Sequence, residues 1–164
     1  MRLIVSGVFM ILSTGMAFAD MSVQLMGGWD GKRVPAGQHC TLQGGNGSTP
    51  PMRVSGVPEG AIWIVAYYND KSYQPLSRKG GHGTIAYPVR GAETDLPAVP
   101  GMRSKLPGGA RVIKPSRATG QFASPGYLAP CSNGRNNRYT VDLKAVDSQG
   151  KVLDQVINVD IGRY

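Results

Sequence analysis

The sequence predicts a mainly β protein. Glycine (23 residues) and proline (12 residues) punctuate the 164-residue chain so often that long helices have nowhere to form. Between them stand short runs that alternate, or that carry β-branched and aromatic residues, as strands do. The clearest is 139–146, where Tyr139, Val141, Leu143 and Ala145 face one way and Thr140, Asp142 and Lys144 the other. Such a stripe faces a core.

Residues 61–68 are apolar on both faces, as a central strand covered on both sides would be, and 84–89 is a plausible neighbour. These three are expected to form the middle of the sheet. Asp147-Ser148-Gln149-Gly150 is turn chemistry, and 152–161 returns with mixed apolar positions, so the carboxy-terminal part reads as a hairpin. Shorter strands are expected at 23–26, 39–42 and 52–55, separated by glycine turns. From 91 to 125 the chain holds five prolines among glycines and bases without periodicity, which predicts a long loop, a lid or a partner surface.

Arg2 opens a short positive region, 3–12 is an apolar run, and Ala17-Phe18-Ala19 is an A-x-A site ahead of Asp20. This predicts a cleaved secretory signal over 1–19 and a periplasmic or secreted mature chain. The apolar run is shorter than the roughly 20 residues that span hydrocarbon, and no later segment is a candidate membrane span. The mature length, 20–164, is that of one domain with a proper core.

The formal net charge is +8, and removing Arg2 lowers it by one to +7. The bases are scattered, which favours an anionic surface or ligand only in general terms. Nucleic acid is disfavoured by the export signal and by the lack of interleaved aromatics in the base-dense stretch 103–117. The two cysteines, Cys40 and Cys131, belong to an exported chain, and a disulfide between them is expected. No C-x-x-C accompanies them, and His39 and His82 are the only imidazoles, so a zinc pattern is not met. No cofactor motif is present; the glycines of 43–48 are followed by no G-K-[ST].

Three separated stretches carry a further signal: G-V-P-E-G-A-I-W-I-V-A-Y-Y-N-D at 56–70, G-G-H-G at 80–83 and G-Y-L-A-P-C-S-N-G-R-N-N-R-Y at 126–139. In order and spacing they resemble the phosphatidylethanolamine-binding proteins, also called Raf-kinase-inhibitor-like proteins. The segment C-T-L-Q-G-G-N-G-S-T-P-P-M at 40–52 is similar to the C-x-x-x-G-x-x-x-S-P-P-L signature of exported bacterial members, with one extra residue. The family's acidic D-P-D-x-P turn is broken here to Asn69-Asp70-Lys71-Ser72. His82 stays, but Gly83 stands where the family has tryptophan, and Asn137 replaces the histidine of the x-H-R-Y strand start.

The resemblance runs from about 31 to 147. It implies a β-sandwich with few short helices and one small anion-accepting cavity. Carried over residue by residue, it implies Asp70, His82, Pro130, Asn137 and Tyr139 around that cavity, and places Cys40 and Cys131 where exported members pair theirs. The ligand it implies is a small anionic group, phosphate or a phospholipid head group.

His82, the amide of Asn137, the hydroxyl of Tyr139 and loop N–H groups suit such an anion, with Asp70 expected to orient His82 or raise its pKa. The competing reading of His82 is an exposed loop histidine between glycines. Arg138 is expected to form an ion pair with Asp70 or Asp142, Tyr127 to pack a loop, and Trp29 and Trp63 to fill or cap the core. Catalysis is not expected: no nucleophile elbow is present, and Glu59 and Glu93, the only glutamates, sit in turn-like contexts. The alternative function is an envelope or secretion partner or inhibitor that uses the basic segment 91–125.

Overall fold

In the computed structural model, which describes residues 20–164, the chain folds into two antiparallel sheets. The strands are β1 Ser22–Leu25, β2 Met52–Ser55, β3 Trp63–Asp70, β4 Thr84–Pro88, β5 Glu93–Leu96, β6 Arg111–Lys114, β7 Arg138–Val146 and β8 Val152–Arg163. One sheet has the order β1-β2-β5, the other β6-β4-β3-β7-β8. The expected mainly β architecture is the one found. Among the described residues helix is confined to single 3₁₀ turns at Thr41–Gln43, Gln74–Leu76 and Gly120–Phe122. The predicted signal, 1–19, lies outside the described residues.

The three strands read as the middle of the sheet, β4, β3 and β7, are its middle. Their inward residues Ile64, Ala66, Tyr68, Ile85, Tyr87, Val141, Leu143 and Ala145 share one core cluster with Met52, Val54 and Leu96 of the smaller sheet. Burying a leucine or valine there contributes roughly 1.5–3 kcal/mol per side chain. The outer face of β3 is covered by stems of charged side chains: the Arg111 guanidinium lies 4.8 Å from the centre of the Trp63 ring, and Lys144 Nζ lies 5.4 Å from that of Tyr67. Trp29 is buried in the core cluster, whereas Trp63 is only half-buried under Arg111. Tyr68, Tyr87 and Thr49 form a buried hydroxyl chain that ends on the N–H of Val99.

The hairpin expected at the carboxy-terminal part is β7–β8, closed by Asp147, whose Oδ1 accepts the N–H groups of Gln149 and Lys151. Two expectations are corrected. Residues 39–42 form no strand, because Cys40 donates its N–H to the Pro130 carbonyl while its own carbonyl accepts from Gln43 and Gly45, which curls the chain into a turn. Segment 91–125 is not one long loop. Glu93–Leu96 alternates, with Thr94 and Leu96 buried and Glu93 and Asp95 exposed, and completes the small sheet; Arg111–Lys114 pairs with β4 as an edge of the large one.

Cys40 and Cys131 are disulfide-bonded, with Cα atoms 5.2 Å apart. Among the described residues no helix is long and apolar enough to cross a membrane, and no group of three or more His, Cys, Asp or Glu side chains is placed to hold a metal ion.

Candidate functional site

Asp70 ends β3 opposite Tyr139 at the start of β7, so the sheet itself sets these two side chains next to one another. After Asp70 the chain reverses. The N–H groups of Ser72 and Tyr73 donate to Asp70 Oδ1 at 2.9 and 3.1 Å, and Asn137 Nδ2 donates to Oδ2 at 2.7 Å. Three N–H donors hold a group that is buried, as a carboxylate acceptor requires.

His82 is placed from three sides. Its N–H donates to the Tyr68 carbonyl, and Tyr68 in turn donates to that of Gly83, which extends the pairing of β3 and β4 past the strand end. The glycines before it are braced by Asn69, whose Oδ1 accepts the N–H groups of Gly80 at 2.9 Å and Gly81 at 3.4 Å. The loop after residue 125 lies directly on its backbone. A Cβ on Gly83, at φ +115°, would stand 2.7 Å from the Gly126 carbonyl oxygen, so only glycine permits this approach. The tryptophan of the family motif has no room here. That close approach lets Leu128 and His82 exchange two bonds: the Leu128 N–H donates to the His82 carbonyl at 2.8 Å, and His82 Nδ1 lies 2.7 Å from the Leu128 carbonyl.

A carbonyl can only accept, so Nδ1 carries the proton. Nε2 is buried and has no hydrogen-bond partner among the described residues. A buried polar atom left so costs about 1–3 kcal/mol, which a ligand donor would recover. Burial pushes the imidazole below its usual 6.5, and the Leu128 carbonyl and the Asp70 charge offset only part of that. The neutral ring with a bare Nε2 lone pair is therefore the resting form.

The edge of this ring meets Tyr139, with centroids 5.3 Å apart and planes at 81°. The Tyr139 hydroxyl accepts the N–H of Cys131 at 3.2 Å, and burial raises its phenol well above the ordinary range, so it stays protonated. Asp70, His82, Asn137 and Tyr139 line one cavity of about 660 Å³. Leu76, Phe122 and Leu128 supply apolar wall, while Arg117 and Arg135 are its cations.

Four of the five ligand residues named from the sequence thus converge. Pro130 does not line the cavity; it is buried behind it, with its carbonyl taken by Cys40. His82 is no exposed loop histidine, being 3% exposed. Asp70 does not orient His82, because its oxygens are filled by Ser72, Tyr73 and Asn137, and the Leu128 carbonyl holds the ring instead. Arg138 pairs with Asp160 rather than with Asp70 or Asp142, both of which already accept other donors. Tyr127 packs its loop as expected, tilted against Tyr68 in the core.

Sequence reasoning missed Asn69, Leu128 and Arg117. Leu128 acts through its backbone, which no side-chain pattern reports. Asn69 reads as turn chemistry beside Asp70, yet it continues the strand. Cys131 also lines the cavity, so the disulfide anchors part of the wall to the loop at Cys40.

No family model and no curated protein matches the chain. Among solved structures it is similar to a crystal structure described as a phosphatidylethanolamine-binding protein homolog from Chlamydia trachomatis, at 24% identity over 78% of this chain and 76% of that one, with a TM-score of 0.45.

Proposed function

We propose that residues 20–164 form one exported, non-catalytic binding domain whose cavity takes a small ligand bearing an anionic group, of phosphate or phospholipid head-group type. The observation that carries this reading is the buried, unpartnered Nε2 of His82 in a cavity shared with Asp70, Asn137 and Tyr139. A polar atom desolvated without a partner is a place kept for one. The motif resemblance points to the same residues. A catalytic relay finds less support. His82 Nδ1 is spent on a carbonyl rather than on an acid, and the hydroxyl of Ser72 accepts the N–H of Arg138.

The partner-surface alternative on 91–125 weighs less because that segment is built into both sheets and supplies Arg117, Ala118, Thr119 and Phe122 to the cavity. Export to the periplasm is supported by the A-x-A site and by the Cys40–Cys131 disulfide. It predicts a mature protein that begins at Asp20 when the full chain is expressed with its leader, which intact mass measurement reads directly.

The function is tested by following the ring nitrogens of His82 in ¹⁵N NMR while phosphoethanolamine is added. A saturable shift of Nε2 is expected. Ring signals that stay constant to millimolar concentration would overturn the reading.

A further inference from the structure

A second hollow of about 530 Å³ adjoins the cavity and shares Pro75 and Arg117 with it. Its other lining residues are Gln74, Arg78 and Lys79, so it presents three cations and no carboxylate. The cavity beside it is arranged differently. Deep in it lie the Asp70 carboxyl, held by three N–H donors, and the lone pair of His82 Nε2. Both are acceptors. An anion placed between them would meet a negative charge and an electron pair, and the Asn137 amide has already given one of its two N–H groups to Asp70.

The basic hollow is built to take charge. The Arg117 guanidinium is fixed by the carbonyls of Pro75, Arg78 and Lys79, which use three of its five N–H groups and leave two. A guanidinium held in this way loses little freedom when an anion arrives. Among the described residues the ion pairs are Arg53 with Glu93 and Asp95, and Arg138 with Asp160, so no carboxylate neutralises Arg78, Lys79 or Arg117.

We propose that the anionic group of the ligand sits in the hollow of Arg78, Lys79 and Arg117, and that an ammonium or hydroxyl of the same molecule reaches through to donate to His82 Nε2 beside Asp70. The ligand class is a small amino or hydroxy phosphate or acid, with its donor separated from its charge. This rests on the binding reading above and deepens it by dividing recognition between two adjoining subsites.

The test uses the mature protein and Arg78→Ala/Lys79→Ala, both exposed positions, with phosphoethanolamine and sulfate as probes. Calorimetry gives the affinities and ¹⁵N NMR the state of His82. Phosphoethanolamine should bind the variant at least tenfold more weakly and with less salt dependence, while in wild type it shifts Nε2. Sulfate, which has no donor, should compete with phosphoethanolamine yet leave Nε2 where it was. Equal phosphoethanolamine affinity in the two proteins, or a sulfate-induced move of Nε2 to its protonated position, would overturn the subsite assignment and leave the binding reading standing. Failure of wild type to bind phosphoethanolamine would take both down.

Discussion

Replacing Asn69 with leucine removes the brace under the glycines that carry His82, with little change of volume. The loss can be worked from the bonds. Asn69 is 1% exposed and accepts from Gly80 at 2.9 Å and from Gly81 at 3.4 Å, where both N–H groups are buried. Orphaning a buried donor costs about 1–3 kcal/mol; the shorter bond takes the upper part of that range and the longer one little, for a total of about 2–4 kcal/mol. The lost donation from Nδ2 to the Tyr67 carbonyl and to Asp142 adds less, since both acceptors have other partners or partial access to water.

At about 2–4 °C per kcal/mol for a chain of this size, the thermal midpoint should fall by about 5–15 °C. Urea unfolding with the disulfide intact gives the free energy, and ¹⁵N spectra of His82 give the position of the loop. A loss under about 0.5 kcal/mol, or a full loss with the His82 ring signals unmoved, would refute the claim that Asn69 places the histidine.

Replacing Cys40 and Cys131 together with alanine opens a link across a separation of 91 residues, which should cost about 4–5 kcal/mol in denaturant unfolding through unfolded-chain entropy; a cost below about 1 kcal/mol would contradict this. His82 should make stability pH-dependent, because the unfolded chain takes up a proton that the buried ring resists. Its contribution is complete above about 6.5 and declines as pH falls through the interval below, so His82→Gln should flatten the change in urea midpoint between neutral and mildly acid solution. Asp30, held low by the N–H groups of Lys32 and Arg33, and Asp95, held low by Arg53, act only below their usual 3.8 and leave that window clear. Gly81→Ala should destabilise by about 1–3 kcal/mol or more, since its Cβ would stand 2.1 Å from the Leu76 carbonyl oxygen; an unchanged melting point would show that the backbone there yields freely.

The large sheet was legible because its middle strands are long and their burial is written in residue type. Alternation along 139–146 and the two-sided apolar run at 61–68 each admit one placement. Of the short strands, those expected at 23–26 and 52–55 are β1 and β2, whereas β5 and β6 were not read. Glu-Thr-Asp-Leu at 93–96 has the right period, but its outward residues are both acids, and their cross-strand partner Arg53 is distant in sequence. Residues 39–42 look extended by composition, yet the bond from Cys40 to Pro130 is a tertiary contact with no local sign.

For the candidate site, motif spacing singled out His82 and Tyr139, which the fold sets edge to face in one cavity, whereas the residue chemistry alone left His82 as a surface loop. What holds the ring is the Leu128 carbonyl, brought close by Gly83 and Gly126, and backbone approach of that kind is visible only once the loops are folded together. Arg138 shows the same limit from the other side: its charge asked for a partner, and register rather than sequence distance chose Asp160.

The bond between Cys40 and Cys131 also bears on how damage to the chain would be noticed. A protease that cuts the exposed turn at 72–75 or the stretch around Lys105 would leave two fragments tied to one another, each contributing strands to the large sheet. Such nicked material would migrate as intact protein on a non-reducing gel and separate only after thiol treatment.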